Sequence, residues 1–359
     1  MKRLTCKRFS LVAVGIIASY VLYHSIVWFG WTGKIFDRKD GLYVGDLGRM
    51  SYQTHSLVPR KLKYTLPKQH LGAQAWHGQK IDMLTLGDSF SNAATGGKNP
   101  YYQDYLASYY DLGIVNLKKI SEVNPIDFVL QLHSAGKLEE LRPRFILIQS
   151  VQRMFIGRFA KKFDFTQQTH PSAQNWIQPT KIEDSHIPSL LFVNTANYKL
   201  PYYSLLYHFN PRAKKDIVKM PLVHSFFTNS SYEKNLLFAY EDIKGIDNDF
   251  EKVQTINANF NLLANFLRPL GITLIVMPAV DKYTLYANYI PNNPFPKSTL
   301  FETLDSLEKD YIFINTKSIL SDLLNKGTMD VFYADDTHWS YIASDAIAKD
   351  KIFKEILEK

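Results

Sequence analysis

The sequence predicts an α/β domain with a parallel sheet, attached to a membrane by one N-terminal helix. Three observations favour this fold class. Five short runs rich in apolar and β-branched residues recur along the chain, stretches with apolar residues at helical spacing lie between them, and a long uncharged run stands near the N-terminus. Near-continuous apolar strands that alternate with helices are typical of a parallel sheet covered by helices on both faces.

The first element is the uncharged run from Phe9 to Gly33. A helix needs about 20 residues to cross a bilayer, and Trp28 and Trp31 stand at the far end of the run, where interfacial aromatic residues are enriched. The core of a cleaved signal peptide is shorter and ends in small residues, so residues 1–36 are predicted to be a cytoplasmic tip and an uncleaved transmembrane anchor. The alternative, a buried helix of a soluble protein, is disfavoured because the run has no polar stripe.

Charges predict the orientation of this anchor. Four basic residues precede the run: Lys2, Arg3, Lys7 and Arg8. The positive-inside rule predicts a single-pass inner (cytoplasmic) membrane protein whose N-terminus is cytoplasmic and whose remaining chain is periplasmic or otherwise extracytoplasmic. These four residues account for half of the formal net charge of +8, and the mild excess that remains does not favour nucleic-acid binding. The single cysteine, Cys6, precedes the run, so the exported part is expected to have no disulfide.

The exported part is predicted to be a lead-in segment at residues 37–80 and one domain at residues 81–359. Two segments, 125–141 and 250–270, have the apolar spacing expected of crossover helices. The region 157–249 is dense in Tyr, Phe, Asn and Pro and is predicted to be an insertion that forms a cap or rim over a cleft. The five predicted strands are IDMLTL (81–86), GIVNL (113–117), RFILIQSV (144–151), ITLIVMPA (272–279) and YIFINT (311–316).

Two motifs follow predicted strands and carry the candidate chemistry. Ser89 comes directly after the first strand, and reactive groups gather beyond the carboxyl ends of parallel strands. A serine hydroxyl needs a base and a group that orients the base. The loop after the last strand supplies His338, preceded by Asp335 and Asp336, and an acid at that spacing reaches Nδ1 while Nε2 faces the serine. As structural alternatives, Asp88 and Ser89 form a helix cap, and residues 335–338 form a turn with a surface histidine.

These motifs resemble those of a known family. Gly87-Asp88-Ser89-Phe90 is similar to the first block of the SGNH (GDSL-like) hydrolases, and Asp335-Asp336-Thr337-His338 is similar to their closing D-x-x-H block. The string DDTHWS resembles the D-T-H-W motif of the alginate O-acetyltransferase-like branch, and VMPAVDKYTLYANYI resembles the proline and D-K-x-x-x-Y strand end of that branch. The resemblance covers residues 81–359, apart from most of the insertion.

The resemblance implies a flavodoxin-like three-layer sandwich with a five-stranded parallel sheet and acyl-ester chemistry on an extracytoplasmic polysaccharide. It implies a Ser-His-Asp triad in which Ser89 is the nucleophile, His338 the base and Asp336 the residue that orients the base. Asp335 takes that place if the D-x-x-H spacing holds. An acyl donor must reach this side of the membrane, so the resemblance also implies a glycan acceptor and an integral-membrane acyl-donor partner.

The sequence departs from the family pattern in two ways. In the alginate acetyltransferases the D-x-H motif precedes the serine, whereas Ser89 comes first here. The usual oxyanion-hole glycine and asparagine of the second and third blocks are not evident, and Arg153 at the third-block position is predicted either to bind oxyanion or substrate or to form a structural ion pair. The other candidate oxyanion donors are the Ser89 N–H, the Asn92 side chain and the turn with Gly96 and Gly97, which is otherwise a loop without a catalytic part.

Three functions therefore remain open at this point. The first is a membrane-anchored O-acyltransferase, acetyl being the expected group, that acts on an exported polysaccharide or cell-envelope glycan. The second is an esterase with the same triad, and the third is a non-catalytic glycan-binding or assembly subunit. The histidines show no metal-ligand spacing and no nucleotide-binding glycine motif occurs, so neither a metal nor another cofactor is predicted.

Overall fold

A computed structural model describes residues 2–30, 32–33, 42–53, 58–59, 65–92, 100–117, 123–165 and 191–358. The helices of these residues are α1 Lys2–Gly30, α2 Asp46–Ser51, α3 Tyr102–Tyr109, α4 Pro125–Ser134, α5 Lys137–Leu141, α6 Gln152–Phe159, α7 Ala196–Leu206, α8 Glu241–Lys244, α9 Phe250–Leu267, α10 Lys282–Tyr286, α11 Leu300–Ser306, α12 Thr316–Asn325, α13 Tyr341–Ala348 and α14 Lys351–Leu357. The strands are β1 Leu42–Tyr43, β2 Val58–Pro59, β3 Leu71–Gly72, β4 Met83–Leu86, β5 Ile114–Leu117, β6 Phe145–Val151, β7 Ile217–Pro221, β8 Asn235–Ala239, β9 Thr273–Ala279 and β10 Ile312–Phe313.

The central sheet has six parallel strands in the order β10-β9-β6-β4-β5-β3 within the described chain. Met83 on β4 is paired with Ile114 on β5 and with Phe145 on β6. Every residue of β4, β5 and β6 is buried, and successive side chains of a strand point to opposite faces, so both faces of the sheet are covered. The predicted parallel α/β class is confirmed, and each of the five predicted runs contains a strand of this sheet.

The predicted count of five strands is wrong, because β3 adds a sixth strand at the edge. β3 lies in the predicted lead-in and pairs in parallel with β5, where Leu71 is opposite Val115. It has only two residues, one of them exposed, and therefore produces no apolar run in the sequence. A strand of this length is invisible to a search for hydrophobic periodicity.

The helix α9 shows why the predicted crossover segments fold as they do. Asp249 caps its first turn by accepting hydrogen bonds from the backbone N–H groups of Glu251 and Lys252. The helix buries one stripe against the core, formed by Val253, Ile256, Phe260, Leu263 and Leu267. The other predicted crossover, residues 125–141, is divided into α4 and α5 at Gly136, which has a φ of +67°.

The strand order places a crevice beside Ser89. β5, the next strand in the chain, is the neighbour of β4 on one side in the strand order. The following strand, β6, is the neighbour of β4 on the opposite side, so the direction in which strands are added reverses here. Ligand sites of open α/β sheets lie at such a reversal, outside the carboxyl ends of the strands. Ser89 follows β4, and Arg153 follows β6, so both candidate residues lie at this point of the fold.

The hairpin β7–β8 of the predicted insertion contributes to the main core. The antiparallel hairpin β7–β8 packs beside α2 and α10, and Ile217, Leu236 and Phe238 are fully buried in the same hydrophobic cluster as the sheet. Residues 166–190 of the insertion lie outside the described residues. The structure therefore does not confirm a cap, because the hairpin is part of the domain itself.

One helix of the described residues, the Cys6–Gly30 part of α1, is long and apolar enough to cross a membrane by length and composition. Its mean hydropathy is 1.8, and only 11% of its most apolar window is buried. The core helix of a soluble protein is mostly buried. This exposure, with its place near the N-terminus, indicates a signal anchor or a membrane span.

Candidate active site

A serine forms one hydrogen-bonded row with a histidine and an aspartate that lie about 250 residues later in the chain. Nε2 of His338 lies 2.8 Å from Oγ of Ser89, and Nδ1 of the same ring lies 2.7 Å from Oδ1 of Asp336. Oδ1 of Asp336 also accepts a hydrogen bond from the backbone N–H of His338 at 3.0 Å. The carboxylate thus fixes both the backbone and the ring of the histidine, and Nε2 faces the serine hydroxyl.

The turn that carries Ser89 is shaped by a glycine and anchored by an aspartate. A Cβ on Gly87 would lie 1.8 Å from Oγ of Ser91, so the chain can turn this sharply only with glycine at this position. Asp88 accepts hydrogen bonds from the Val151 backbone N–H at 2.6 Å and from Arg158 at 2.7 Å. The aspartate side chain thus turns toward β6 and α6, and Ser89 is left partly exposed at the crevice.

The loop that carries His338 is held by the predicted lead-in segment. Both side-chain oxygens of Asp46, the first residue of α2, accept hydrogen bonds from Thr337, at 2.8 Å from its backbone N–H and 2.5 Å from its hydroxyl. Burial raises the pKa of the Asp46 carboxyl, and the charge of Asp336 raises it further. Phe90 packs on the other side, with its ring centroid 4.7 Å from that of His338.

The side chain of Lys282 also holds the loop that carries His338. Its side chain is fully buried, and Nζ donates to the backbone oxygens of Tyr333 and Ala334 at 2.8 Å and of Asp336 at 3.1 Å. Burial lowers the pKa of this lysine to about 8, against the opposing effect of nearby carboxylates that include Asp335 and Asp336. The group is therefore still cationic at neutral pH, and it stabilises a loop that concentrates negative charge.

Asp335 and Asp336 face different parts of the molecule. Oδ2 of Asp335 accepts a hydrogen bond from the Gly45 backbone N–H at 2.6 Å, and its main-chain oxygen accepts one from Gly48 at 2.9 Å. Asp335 therefore joins the loop to the start of α2, whereas Asp336 contacts the imidazole of His338. The D-x-H spacing, and not the D-x-x-H spacing, describes the geometry at this histidine.

The environment of His338 favours a charged imidazole. The ring is buried, which lowers its pKa, but the hydrogen bond and the charge of Asp336 outweigh burial and raise the pKa above its ordinary value of 6.5. Arg153 opposes this rise through its own positive charge, so its guanidinium lies near the site. The arrangement stabilises the imidazolium that forms when the histidine takes a proton from the serine.

The candidate oxyanion donors differ in the hydrogen bonds that they already make. Nδ2 of Asn92 donates to the main-chain oxygen of Gly87 at 3.2 Å, and its Oδ1 accepts from Asn116 at 3.0 Å. Among the described residues, the backbone N–H of Ser89 has no hydrogen-bond acceptor. Gly96 and Gly97 lie outside the described residues. A role of these groups in an oxyanion hole stays a prediction.

Arg153 takes part in a buried ion-pair cluster. Its Nη1 lies 2.5 Å from Oδ1 of Asp281 and 3.3 Å from Oδ1 of Asp242. The two carboxylates raise the pKa of the guanidinium, and burial raises the pKa of Asp242 to about 6. These contacts fit the structural ion pair that the sequence left open, and the role in substrate binding stays a prediction.

Three possible metal ligands meet at this site. One side-chain atom each of Asp46, Asp336 and His338 lies within 4.8 Å of the others. Both oxygens of Asp46 already bind Thr337, and Asp336 binds His338 through Nδ1 and the backbone N–H. The atoms that could bind a metal are thus engaged in the hydrogen bonds that hold the loop. The prediction of no catalytic metal stays a prediction.

Sequence reasoning missed three contributors to this site. Asp46 lies in a segment predicted only as a lead-in, and its partner is 291 residues away. Lys282 stands in a motif that the family resemblance includes, but nothing local indicates its burial. Arg158 lies near the end of α6, and its partner Asp88 is 70 residues earlier in the chain, so its spacing gave no signal either.

Comparison with known proteins adds one match. Residues 234–358 match the family described as the SGNH hydrolase-like domain of the acetyltransferase AlgX. The matched part contains Asp336, His338 and Lys282, and Ser89 lies outside it. None of the curated proteins and none of the solved structures matches the chain. The family match confirms the resemblance of this chain to the alginate O-acetyltransferase-like branch of the SGNH hydrolases.

Proposed function

We propose that this protein is a membrane-anchored O-acyltransferase that moves an acyl group onto a hydroxyl of an exported polysaccharide. The expected acyl group is acetyl. The observation that carries the proposal is the position of His338, which lies between Ser89 Oγ at 2.8 Å and Asp336 Oδ1 at 2.7 Å. A serine in contact with a base that is itself oriented by an acid is an arrangement that activates serine for acyl transfer. The match of residues 234–358 to an acetyltransferase domain supports the acetyl group.

The first half of the reaction forms an acyl-enzyme. Ser89 Oγ attacks the carbonyl carbon of the donor ester while Nε2 of His338 takes the hydroxyl proton. Asp336 stabilises the imidazolium, and the Ser89 N–H with the Asn92 side chain is suited to donate to the oxyanion. When the donor C–O bond breaks, the leaving oxygen takes the proton from His338, and the acyl group stays on Ser89.

The second half reverses these roles. A sugar hydroxyl gives its proton to Nε2 of His338 and attacks the acyl carbon, and Ser89 Oγ leaves with that proton. Ser89 is partly exposed, as a serine that meets an acceptor from solvent must be. The glycan acceptor and an integral-membrane acyl-donor partner belong to this proposal, as do the membrane span of α1 and the extracytoplasmic position of the domain.

The esterase and the non-catalytic subunit relate differently to the contact between Ser89 and His338. An esterase would use the same acyl-enzyme with water as the acceptor, and only the products distinguish it from a transferase. A non-catalytic subunit would need no contact between Ser89 and His338, and the 2.8 Å contact disfavours it. The transferase is favoured over the esterase by the acetyltransferase match alone.

Product analysis tests the proposal. The full chain in detergent is given an activated acetyl ester with and without neutral and acidic oligosaccharides, and acetylated sugar and free acetate are measured. A transferase yields acetyl-sugar that disappears in Ser89→Ala and His338→Ala. His70→Ala is the matched control, because His70 also contacts an aspartate, Asp104 at 2.6 Å, and it should keep the activity. Free acetate alone, whatever the sugar, would support the esterase, and no product above that of Ser89→Ala would support the silent subunit.

A further inference from the structure

Helix α7 and the residues after its last turn expose an apolar stripe. Tyr198, Tyr202, Leu205 and Phe209 are 47%, 57%, 61% and 81% exposed. Tyr198, Tyr202 and Leu205 follow one another at intervals of four and three residues, which places them on one face of α7, and Phe209 lies in the turn that follows the helix. We call these four residues the α7 stripe. Contiguous exposed apolar surface of this kind marks a contact with a partner or a membrane.

The first turn of α7 is bound to α1. Nε2 of His24 lies 2.8 Å from the Tyr198 hydroxyl, and Nδ1 of His24 lies 2.7 Å from Nδ2 of Asn197. The Tyr23 hydroxyl donates to the main-chain oxygen of Asn197 at 2.8 Å, and Val27 packs against Leu200. His24 is fully buried, so the polar ring in an otherwise apolar helix is enclosed by α7. A polar side chain in a membrane segment needs such partners.

These contacts determine which part of α1 lies beside α7. They involve residues 23–27, and α1 ends at Gly30. At a rise of about 1.5 Å per residue, His24 lies roughly 9 Å from that end. The hydrocarbon core is about 30 Å thick, so α7 is beside the part of α1 that is closest to the domain-side membrane surface.

The chemistry of α7 matches this level. Tyrosine is enriched at membrane–water interfaces, where its ring is in an apolar layer and its hydroxyl reaches polar groups. Lys199 on α7 and Lys215 beyond it are exposed, and an ammonium group can donate charge-assisted hydrogen bonds to lipid phosphates. α1 exposes apolar residues as well, and Phe29 near its end is 72% exposed.

We propose that α7 lies in the interfacial layer of the membrane that α1 spans, with the α7 stripe in contact with lipid. The inference rests on the proposed membrane span of α1, and it does not depend on the acyl-transfer chemistry. Two attachments, one spanning and one at the surface, restrain the rotation of the domain about α1.

Fluorescence quenching by lipids tests this inference. In the full chain with Cys6→Ala, single cysteines are introduced by Leu205→Cys, Tyr202→Cys, Ile16→Cys and, as the matched control, Leu262→Cys. Leu262 is on α9 and is 52% exposed, against 61% for Leu205, so both labels are on helix surfaces. Each variant carries an environment-sensitive fluorophore and is reconstituted into vesicles whose lipids have a quencher near the headgroup or deep in the acyl chain.

The inference predicts that labels at positions 202 and 205 are quenched by the headgroup-proximal quencher, with a shift of emission to shorter wavelength. The label at position 16 is expected to respond to the deep quencher, and the label at position 262 to neither. If the labels on α7 behave like the label at 262 while the label at 16 is quenched, the inference is wrong and the stripe contacts something other than lipid. If the label at 16 is also unquenched, the membrane span of α1 fails as well.

Discussion

Asp335 and Asp336 are adjacent in sequence and differ in what they contact. Asp335 binds the backbone N–H of Gly45 at 2.6 Å, and Asp336 binds Nδ1 of His338 at 2.7 Å. A change of the first residue is therefore expected to affect stability, and a change of the second is expected to affect the reaction. The two neighbours serve as controls for one another.

For Asp336→Asn we expect acylation to slow by roughly 10³- to 10⁴-fold with little change in folding, because the amide no longer stabilises the imidazolium. For Asp335→Asn we expect a loss of about 1–3 kcal/mol in the free energy of unfolding, because a buried hydrogen bond is weakened, while the folded protein stays active. Burst kinetics with an activated ester and denaturant titrations measure the two effects. Equal loss of rate in both variants would contradict the assignment.

The pKa of His338 predicts a pH profile. Burial lowers this pKa, but the hydrogen bond and charge of Asp336 raise it above 6.5. Protonated His338 cannot accept the serine proton, so the acylation rate should rise with pH through a midpoint above 6.5. In Asp336→Asn the lowering by burial is no longer outweighed, and the midpoint should move to lower pH. A wild-type midpoint below 6.5, or one that Asp336→Asn leaves unchanged, would refute this.

At this scale the sequence singled out residues that stand next to their own motif. His338 lies two residues after Asp336, so local spacing was sufficient to propose that pair, whereas the pairing of His338 with Ser89 rested on the shared edge of the predicted sheet and on the family resemblance. Asp46 binds Thr337 across 291 residues of chain, and a short polar residue in a turn-rich segment carries no sign of a partner that distant. The sequence identified Lys282 only as part of the D-K-x-x-x-Y resemblance. Its burial could not be predicted, because it depends on three main-chain oxygens that lie more than 50 residues away in the chain.

Among the elements, α2 is the one on which the histidine loop depends most directly. Gly45 precedes α2 with an extended backbone, φ −66° and ψ 169°, which any residue can adopt. A Cβ at this position would nevertheless lie 2.2 Å from the main-chain oxygen of Asp335. The glycine is required by the closeness of the loop, and not by its own backbone conformation.

Gly45→Ala is therefore expected to displace the histidine loop, at a cost of about 1–3 kcal/mol in stability, and to slow acylation as well. Gly72→Ala is the matched control, since Gly72 has a similar extended backbone, φ −70° and ψ 152°, and no heavy atom within 4 Å of a new Cβ. Denaturant unfolding and burst rates of the two variants provide the comparison. A Gly45→Ala protein as stable and active as Gly72→Ala would show that the loop does not need this close approach.

The elements that the sequence predicted are those with their own periodicity. The runs at residues 81–86 and 144–151 contain β4 and β6, and the segment at 250–270 contains α9. The two-residue strand β3 and the hairpin β7–β8 were missed for different reasons. β3 is too short to form a pattern, and the strands of the hairpin bury consecutive residues, so they show no alternation of apolar and polar positions.

For the whole molecule, the position of the anchor gives a test that needs no assay of activity. Cys6 is exposed and is the only cysteine of the chain. The positive-inside rule predicts that it is on the cytoplasmic side, and the domain on the other. A membrane-impermeant maleimide should label Cys6 in inverted membrane vesicles and not in right-side-out vesicles.

The matched variant for that test is Cys6→Ala with Leu262→Cys, which places the only cysteine on the domain. Its labelling should follow the opposite pattern, strong in right-side-out vesicles and absent in inverted ones. Labelling of both proteins from the same side would contradict a single membrane span, since it would place residue 6 and α9 in one compartment.

Formation of an acyl-serine at Ser89 can be measured by intact mass spectrometry of the full chain after mixing with an activated acetyl ester. We expect one added acetyl group, located on the peptide that contains Ser89, in the wild type and not in Ser89→Ala or His338→Ala. Gly72→Ala, which adds a methyl group where no heavy atom is within 4 Å, should acquire the group as the wild type does. An adduct that is equal in all four proteins, or none in the wild type with several esters, would contradict an acyl-serine mechanism.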